Sequence, residues 1–470
     1  MSTRITARKG DITSAKATIC LVVITEEQAG THRFVERADE IIEYRHGAGK
    51  WADVTPRQFR TLLRSVVQAL KGHKVTSAAI NLDRAAFPQL KQYDEQWFAS
   101  TIAENVSLAA YDFTMYKSKP ETKHALADIY VYGLTSPELK TGFARGLIVA
   151  DYTNRARDIA NTHGDDLTPK ALAAAAKKIA IGSGVTVKVL GATEIKKQKL
   201  NLVHAVGKGS HNEPQFIIME HKGSKNKNEA PLVLIGKGIT YDTGGLNVKP
   251  SGAMHDMHMD MSGGSSVMAA IVAAAKLGVK KNIIALIPAA ENAISSQSMR
   301  AGDIVTAHSG TTVEILHTDA EGRLVLADAL SYCTKFKPRA IVDVATLTGA
   351  ALVALGQHAS AVLTRNQDLE TTLRTLGEES GDLVWPLPLW DEYKSPLKSS
   401  RADISNIATN FSKYGGAIEG GMFLDAFAPK NVPFAHLDIA PRMESIASDK
   451  LAKGSTGEPV RLLIKWLERY

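Results

Sequence analysis

Hydrophobic and polar residues alternate in two distinct ways along the first part of the chain. Short apolar runs at Thr18–Ile24, Ser77–Leu82 and Ile129–Tyr132 are typical of β-strands. Over Phe59–Leu70, apolar residues recur every three or four positions, which is typical of an amphipathic helix. The two patterns together predict a small N-terminal α/β domain over residues 1–150.

The rest of the chain predicts a larger α/β domain. An amphipathic, charged segment over Gly142–Ile159 predicts a long helix, and Pro169 begins a further helical segment. We therefore assign a linker helix to residues 151–168 and the C-terminal domain to residues 169–470. Helical patterns within that domain separate apolar runs that are typical of buried strands: Val185–Leu190, Phe216–Met219, Leu232–Ile235, Ile283–Ile287, Thr312–Leu316 and Ala340–Val344. The pattern predicts a mixed, mostly parallel sheet flanked by helices.

The composition is that of an ordinary globular enzyme. The chain has 470 residues, of which 44% are hydrophobic and 22% charged, and 56 basic against 49 acidic residues give a net charge of +7 without a polybasic tail. The two cysteines, Cys20 and Cys333, lie far apart and predict neither a disulfide nor a thiolate metal site. Their number is typical of a reducing compartment.

The N-terminus superficially resembles a signal peptide. Arg4, Arg8 and Lys9 precede the apolar run Ala17–Ile24. That run is short, has no small-residue cleavage site and leads directly into acidic residues, so we interpret it as the first strand of the fold. No apolar stretch approaches the length that a bilayer requires, and we expect no membrane partner.

The segment His317–Arg323 carries the densest candidate chemistry. It places Asp319, Glu321 and Arg323 at alternate positions just after the apolar run Thr311–Leu316. In an open α/β sheet, ligands bind at the carboxyl ends of the strands. The cluster therefore favours a metal site at the end of a sheet strand.

A second candidate segment follows the run Leu232–Ile235. The glycine-rich stretch Gly236–Gly245 contains Lys237 and Asp242, and Lys249 follows shortly after. Its spacing is not that of a phosphate-binding GxxxxGK[ST] loop, which disfavours nucleotide binding. The two strand ends could meet over one pocket.

Between these segments, His255, His258 and Asp260 could form a zinc site, because imidazole is a common zinc ligand. The alternative, which we favour, makes both histidines polar loop residues and leaves Asp260 as a candidate at a helix entrance. Four carboxylates that converge without cations would repel one another, and two divalent ions would remove that repulsion. Such ions lower the pKa of a shared water and polarise a carbonyl group.

Several segments, in order, resemble the cytosolic leucyl aminopeptidase family of two-metal exopeptidases. The likeness extends from about Arg157 to Leu463. The matching segments are Gly236–Gly245, Met259–Met261, Thr318–Ala329, Asp343–Gly349, Ala435–Ala440 and Thr456–Gly457. The family fold is a variable N-terminal α/β domain and a catalytic C-terminal α/β domain.

The resemblance implies two sites for divalent metal ions, with manganese or zinc expected and magnesium or cobalt as alternatives. One ion would be held by Lys237, Asp242, Asp260 and Glu321. The more exchangeable ion would be held by Asp242, Asp319 and Glu321, with help from the Asp319 carbonyl. A water between the two ions would attack the peptide bond.

The resemblance also implies the other roles in the site. Lys249 would stabilise the oxyanion, and Arg323 would hold a bicarbonate ion that accepts a proton from the water. The main chain of Leu347 would bind near that anion. The pocket for the first side chain of the substrate would be lined by Met257, Thr346 and Gly349.

The implied protein is a cytoplasmic homohexamer that removes leucine and other apolar residues from short peptides with a free N-terminus. His317 stands where the family commonly has asparagine, and Pro441-Arg442 follow Ala440 where glycine is usual. These departures concern side-chain preference and pocket shape. The main alternative is a DNA-binding or architectural hexamer with secondary or lost peptidase activity. A two-metal phosphoesterase fits less well, since such enzymes usually have more histidine ligands.

Overall fold

The protein divides into two compact units. In the computed structural model, residues 3–10, 12, 19–38, 40–118, 126–226, 228–412 and 414–470 are described. The first unit comprises Met1–Asn154 and Ser445–Lys453, and the second comprises Arg155–Glu444 and Gly454–Tyr470. Nothing in the hydrophobic pattern indicates that residues 445–453 return to the first unit. No described helix is long and apolar enough to cross a membrane.

The described part of the first unit has one sheet, ordered β1-β6-β5-β2-β4-β3. Its strands pair in parallel except for the antiparallel hairpin of β3 and β4. Its main elements are β1 Arg4–Ala7, β2 Cys20–Thr25, β3 His32–Glu36, β4 Ile42–Gly47, α1 Pro56–Gly72, β5 Ser77–Asn81, α2 Glu95–Ala110 and β6 Asp128–Tyr132. Helix α1 begins at a capping box in which Thr55 and Gln58 bond each other's backbone, and it buries its predicted apolar face.

The sequence analysis predicted that the apolar run near the N-terminus is the first strand, and this prediction is wrong. Strand β1 at Arg4–Ala7 precedes it, and the run itself forms β2, which begins at Cys20; Ala17 and Thr18 lie outside the described residues. Strand β1 escapes a search for apolar runs because it is an edge strand with only Ile5 partly covered. Both cysteines are free and buried, in agreement with the expectation of no disulfide.

Two helices follow where the sequence predicts them. Helix α3 spans Pro137–Asn161 and includes the division between the two units. Helix α4 spans Pro169–Ala180; Thr168 caps it by accepting from the amide of Ala171, and Pro169 occupies its first turn.

The second unit is built on a nine-stranded sheet in its described residues, ordered β16-β15-β18-β14-β9-β11-β8-β7 with β10 paired to β11. Five strand pairings are parallel and three are antiparallel, which confirms the predicted mixed, mostly parallel sheet. The strands of this unit are β7 Thr186–Leu190, β8 Gln215–Lys222, β9 Leu232–Gly236, β10 Gly238–Asp242, β11 Asn282–Asn292, β12 Ile304–Thr306, β13 Thr312–Glu314, β14 Ala340–Ala345, β15 Ser360–Thr364, β16 Val384–Pro386, β17 Ile404–Ser405 and β18 Phe434–Asp438.

Helices cover this sheet and differ in how far they are buried. They are α5 Ala192–Lys197, α6 Asn201–Gly207, α7 Ser262–Lys276, α8 Gly322–Cys333, α9 Gly349–Leu355, α10 Gln367–Ser380, α11 Gly416–Asp425 and α12 Val460–Arg469. Every residue of α8 is buried. Helix α7 lies close against the sheet because its first turn contains glycine. A Cβ on Gly263 would fall 2.1 Å from the Val344 carbonyl oxygen.

Strand β13 is not part of the main sheet, contrary to the prediction for Thr311–Leu316. It lies in a separate three-stranded sheet, between β12 and β17. Its segment begins with the partly exposed Thr311 and Thr312 and continues with three buried residues at 313–315. The central strands β9 and β14 are buried throughout.

Candidate metal centre

Four acidic side chains from three segments lie near one another in the second unit. Asp242 is the last residue of β10, Asp260 lies two residues before α7, and Asp319 and Glu321 lie in the turn before α8. All are buried except Asp319, which is half-buried. Among the described residues, Asp242, Asp319 and Glu321 are the one group of three acidic, histidine or cysteine side chains whose ligand atoms lie within 4.8 Å of one another.

Lys237 lies between two of these carboxylates. Its Nζ is 2.8 Å from Asp260 Oδ2 and 2.8 Å from Glu321 Oε1, and it donates to the carbonyl of Thr346 at 2.9 Å. The lysine is held there by its position between β9 and β10, and it is only 2% exposed. A fully buried ammonium needs such anionic partners.

Lys249 makes the corresponding contacts with the other pair of carboxylates. Its Nζ is 2.8 Å from Asp242 Oδ2 and 2.6 Å from Asp319 Oδ1. The loop that carries it is fastened by Thr318, whose hydroxyl donates to the Gly244 carbonyl at 2.6 Å and accepts from the amide of Asn247 at 2.8 Å. The glycine-rich segment and the turn before α8 are thus joined by hydrogen bonds.

Full ionisation of the four carboxyl groups would place more negative charge in the cluster than the two lysines neutralise. Burial raises the pKa of Asp319 to about 7, with further increases from Asp242 and Glu321. Burial also raises the pKa of Asp260 well above its ordinary value, an effect that Lys237 only partly offsets. Carboxylates that resist ionisation at neutral pH in this way are suited to bind additional cations.

Three carboxylate oxygens of the cluster accept no hydrogen bond of acceptable geometry. They are Asp260 Oδ2, Asp319 Oδ1 and Glu321 Oε1, and each is buried. Each is instead ion-paired with a lysine Nζ, at 2.8 Å for Asp260 and Glu321 and 2.6 Å for Asp319. Buried carboxylate oxygens that are paired with cations in this way fit the hard divalent cations that prefer oxygen ligands.

The two lysines are charged in this arrangement. Burial alone would lower the pKa of Lys237, but Asp260, Glu321 and Asp242 outweigh it, and the pKa is raised. The pKa of Lys249 is raised in the same way, against the effect of burial, by Asp242, Glu321 and Asp319. A dication on these carboxylates would cancel their field and allow a lysine ligand to become a neutral amine.

Asn292 is a site residue that the sequence did not reveal. It is the last residue of β11, and its Nδ2 donates to Asp242 Oδ1 at 2.8 Å and to the Thr318 carbonyl at 3.2 Å. The amide of Gly244 donates to the same carboxylate oxygen at 2.9 Å. Together these contacts hold Oδ1 of Asp242 in place, and Oδ2 faces Lys249.

Gly322 provides the space that Lys237 occupies. A Cβ at this position would fall 2.5 Å from Lys237 Cε and 2.7 Å from its Nζ. The first residue of α8 must therefore lack a side chain for the lysine to reach Glu321.

Arg323 offers an anion site next to the carboxylates. Its Nη1 donates to the Asn406 carbonyl at 2.8 Å, whereas its Nε is buried and has no hydrogen-bond partner among the described residues. Burial lowers the pKa of Arg323, and Glu419, Glu321 and Asp438 oppose that effect. A buried guanidinium with an unused N–H is suited to a small oxyanion.

The loop after β14 reaches the acidic cluster through Thr346. Its hydroxyl donates to Asp260 Oδ1 at 2.7 Å. The next amide, that of Leu347, donates to Asp438 Oδ1 at 3.1 Å, and the Thr348 hydroxyl donates to Asp438 Oδ2 at 2.7 Å. Asp438, buried at the end of β18, thus fixes the main chain of this loop.

The two other predicted pocket residues adjoin the centre along the chain. Met257 begins the 3-10 turn that leads to Asp260, and it is half-buried. Gly349 is the exposed first residue of α9, three positions after Thr346.

The histidines near Asp260 are not among the clustered ligand atoms. His255 is exposed, as expected for a loop residue. His258 is buried instead and stacks on His163 at 4.7 Å between ring centroids. Burial, with His163, lowers the pKa of His258, which favours the neutral form of this ring.

His317, which departs from the asparagine that the family resemblance leads us to expect, supports the same turn through its ring. Its Nδ1 accepts from the amide of Asp319 at 3.2 Å. Burial lowers the pKa of His317, and Lys249 and Arg323 lower it further, which keeps the ring neutral and able to accept. The imidazole thus supplies the acceptor that an asparagine side chain could offer here.

Comparison with known proteins assigns this geometry to a family. The model described as "Cytosol aminopeptidase family, catalytic domain" matches residues 154–464, and the corresponding N-terminal domain matches residues 47–120. A probable cytosol aminopeptidase of Geobacter sulfurreducens is 41% identical over 429 residues, which are 90% of this chain and 84% of the relative. One from Aliivibrio fischeri is 39% identical over 426 residues, 90% of this chain and 83% of the relative.

Solved structures of the same kind cover nearly the whole chain. A mutant of tomato leucine aminopeptidase aligns with a TM-score of 0.89 at 28% identity, over 100% of this chain and 97% of the other. The bottromycin maturation enzyme BotP in complex with Mn aligns with a TM-score of 0.85 at 31% identity, over 96% and 98%. Sequence, fold and acidic cluster agree, and the chain therefore belongs to the cytosol aminopeptidase family of metal-dependent aminopeptidases.

Proposed function

We propose that this enzyme removes the N-terminal residue, preferably leucine or another apolar residue, from short peptides with the help of two divalent cations. The observation that carries the proposal is the arrangement of four carboxylates around the buried Lys237 and the half-buried Lys249. A cluster of this charge and burial has no evident structural purpose without cations.

The residues divide naturally into two overlapping ligand sets. Lys237, Asp242, Asp260 and Glu321 would hold one cation. Asp242, Asp319 and Glu321 would hold the more exchangeable one, with help from the Asp319 carbonyl. We propose manganese or zinc as the metal in these sites, with magnesium or cobalt as alternatives. When bound, the cations supply an electrophile for the peptide carbonyl and lower the pKa of a water.

Two cationic side chains complete the proposed chemistry. Lys249 keeps its proton on Nζ and would stabilise the oxygen that gains negative charge when the peptide carbonyl is attacked. Arg323, with its unused Nε–H, would hold a bicarbonate ion that accepts a proton, near the main chain of Leu347. Met257, Thr346 and Gly349 would line the pocket for the first side chain of the peptide.

The proposal is tested with Asp319→Asn and Lys249→Ala, assayed for hydrolysis of leucine amide. Each variant removes one charged group from the centre, and we expect a loss of about 100-fold or more in kcat/KM. Asp303→Asn and Lys222→Ala are matched controls, because both residues form ion pairs at the surface. Turnover at the wild-type rate in both centre variants would contradict the proposal.

A second candidate function, DNA binding, has one observation in its favour. Between residues 167 and 212 the chain has a single acidic residue, Glu194, and a set of lysines of which all but the last are exposed: Lys170, Lys177, Lys178, Lys188, Lys196, Lys197, Lys199 and Lys208. Such a stretch could contact phosphates. Retarded mobility of a DNA duplex that weakens steeply with salt would support this role, and no retardation at low salt would exclude it.

We further propose a homohexamer in the cytoplasm, on the basis of the family. Residues 1–150 would form the N-terminal domain that serves assembly, and residues 169–470 the catalytic domain. Residues 151–168 would link them; the predicted linker helix is wrong beyond Asn161, where helix α3 ends. Light scattering coupled to size-exclusion chromatography tests the assembly: a mass near that of six chains supports it, and a monomer contradicts it.

A further inference from the structure

A buried asparagine far along the chain is positioned beside the turn that carries Asp319. Strand β17, at Ile404–Ser405, pairs in parallel with Val313–Glu314 of β13. The next residue, Asn406, continues the ladder through its amide, which donates to the Glu314 carbonyl at 3.0 Å. The small three-stranded sheet thus delivers the Asn406 side chain to the segment that follows β13.

The side-chain amide of Asn406 bonds the backbone of that segment at four points. Its Oδ1 accepts from the amides of Leu316 at 2.8 Å and His317 at 3.3 Å. Its Nδ2 donates to the carbonyls of His317 at 2.7 Å and Ala320 at 3.4 Å. Asn406 is 0% exposed, so all four bonds form away from water. These contacts enclose Asp319 and end next to Glu321.

The main chain of the same residue contacts the other functional group of the turn. The Asn406 carbonyl accepts from Arg323 Nη1 at 2.8 Å. One residue therefore touches both the backbone around a proposed cation ligand and the guanidinium proposed to hold the anion. Lys237, Asp242 and Asp260 come from other segments, which β9, β10 and α7 hold in place.

We propose that Asn406 is a positioning residue that sets the geometry of Asp319 and Arg323 and thereby strengthens binding of the exchangeable cation. The inference rests on the proposed function. Its specific consequence is a difference between the two cations. Loss of the amide should weaken binding of the cation that depends on Asp319 and largely leave unchanged the binding of the cation that depends on Lys237 and Asp260. Supporting residues of this kind typically change metal affinity by about 10- to 100-fold.

The test is a Mn²⁺ titration of the full-length protein, stripped with a chelator, by equilibrium dialysis and electron paramagnetic resonance. The variants are Asn406→Ala and the isosteric Asn406→Asp, which keeps an acceptor for the Leu316 and His317 amides but has no donor for the two carbonyls. We expect the wild type to bind two ions. Both variants should bind one ion with nearly wild-type affinity and the second about 10- to 100-fold more weakly.

The matched control is Asn366→Ala, in the same unit. Asn366 also orders backbone, as its Oδ1 accepts from the amide of Leu369 at the start of α10. It should lower the melting temperature without changing either cation affinity. An equal weakening in this control, or two ions bound with wild-type affinity in both Asn406 variants, would overturn the proposal.

The outcome for the wild type separates this inference from the proposed function. A wild type that binds fewer than two Mn²⁺ ions, or that releases no leucine, contradicts the two-cation function itself. A wild type that binds two ions and is active, beside Asn406 variants that do the same, contradicts only the positioning role.

Discussion

Three of the four acidic residues of the metal centre are restrained by hydrogen bonds, either directly or through the turn that carries them. Asn292 and Gly244 bond Asp242, Thr346 bonds Asp260, and the turn around Asp319 is bonded by Asn406. The acidic residues themselves could be predicted, because Asp319 and Glu321 stand in a dense polar run after an apolar one. The amides could not, because a single asparagine at the end of a strand has no local pattern that distinguishes it from a turn residue.

At the residue scale, cation binding should depend on pH. The pKa of Asp319 is raised to about 7 and that of Lys237 is raised above its ordinary value, so both hold protons near neutrality that a cation must displace. Cation affinity should therefore increase as pH rises from about 6 to 8. Mn²⁺ titrations at three pH values, in buffers of different ionisation enthalpy, measure affinity and released protons together. Binding that neither changes with pH nor releases protons would contradict this assignment.

A buried carboxylate outside the metal centre should matter for stability alone. Asp328 in α8 accepts from the amides of Leu202 at 2.8 Å, Val203 at 3.2 Å and His308 at 2.8 Å, and it is 0% exposed. Asp328→Ala leaves these amides without an acceptor, which should cost about 3 kcal/mol in the free energy of unfolding. Denaturant unfolding measures the loss. A change under about 1 kcal/mol would show that water replaces the carboxylate.

At the scale of elements, the hydrophobic pattern found strands such as β9, β11 and β14 and helices such as α1, α7 and α8. It missed other elements, including the buried strand β18 and the helices α2 and α10. The segment Gly238–Asp242 lies in the glycine-rich stretch, for which the sequence analysis predicted no strand; pairing with β11 makes it strand β10. The run Thr311–Leu316 was correctly predicted to contain a strand, but that strand belongs to the small three-stranded sheet and not to the main sheet. Sheet membership depends on partners distant in sequence, and β17, the partner of β13, has only two residues.

One prediction at this scale concerns the start of α8. Gly322→Ala would place a methyl group 2.5 Å from Lys237 Cε and displace the lysine from between Asp260 and Glu321. We expect the cation that depends on Lys237 to bind about 10- to 100-fold more weakly, with a parallel loss of peptidase activity. Gly72→Ala is the matched control, since nothing lies within 4 Å of its added Cβ. Wild-type Mn²⁺ affinity in Gly322→Ala would contradict the fit.

At the scale of the molecule, the chain combines two α/β units, of which the second contains all the proposed catalytic residues. The family motifs fall in that unit, which explains why its fold and chemistry could be inferred from sequence. The first unit has fewer specific motifs, and the return of Ser445–Lys453 to it is a contact between distant segments that no local pattern encodes.

The most direct test of the central claim is release of para-nitroaniline from leucine para-nitroanilide by the chelator-stripped enzyme, before and after loading with manganese or zinc. The N-acetylated substrate serves as the control. The account predicts no release by the stripped enzyme, release after loading, and none from the acetylated substrate under either condition. Equal cleavage of the acetylated substrate, or no cleavage of the free-amine substrate under any loading, would contradict a cation-dependent aminopeptidase.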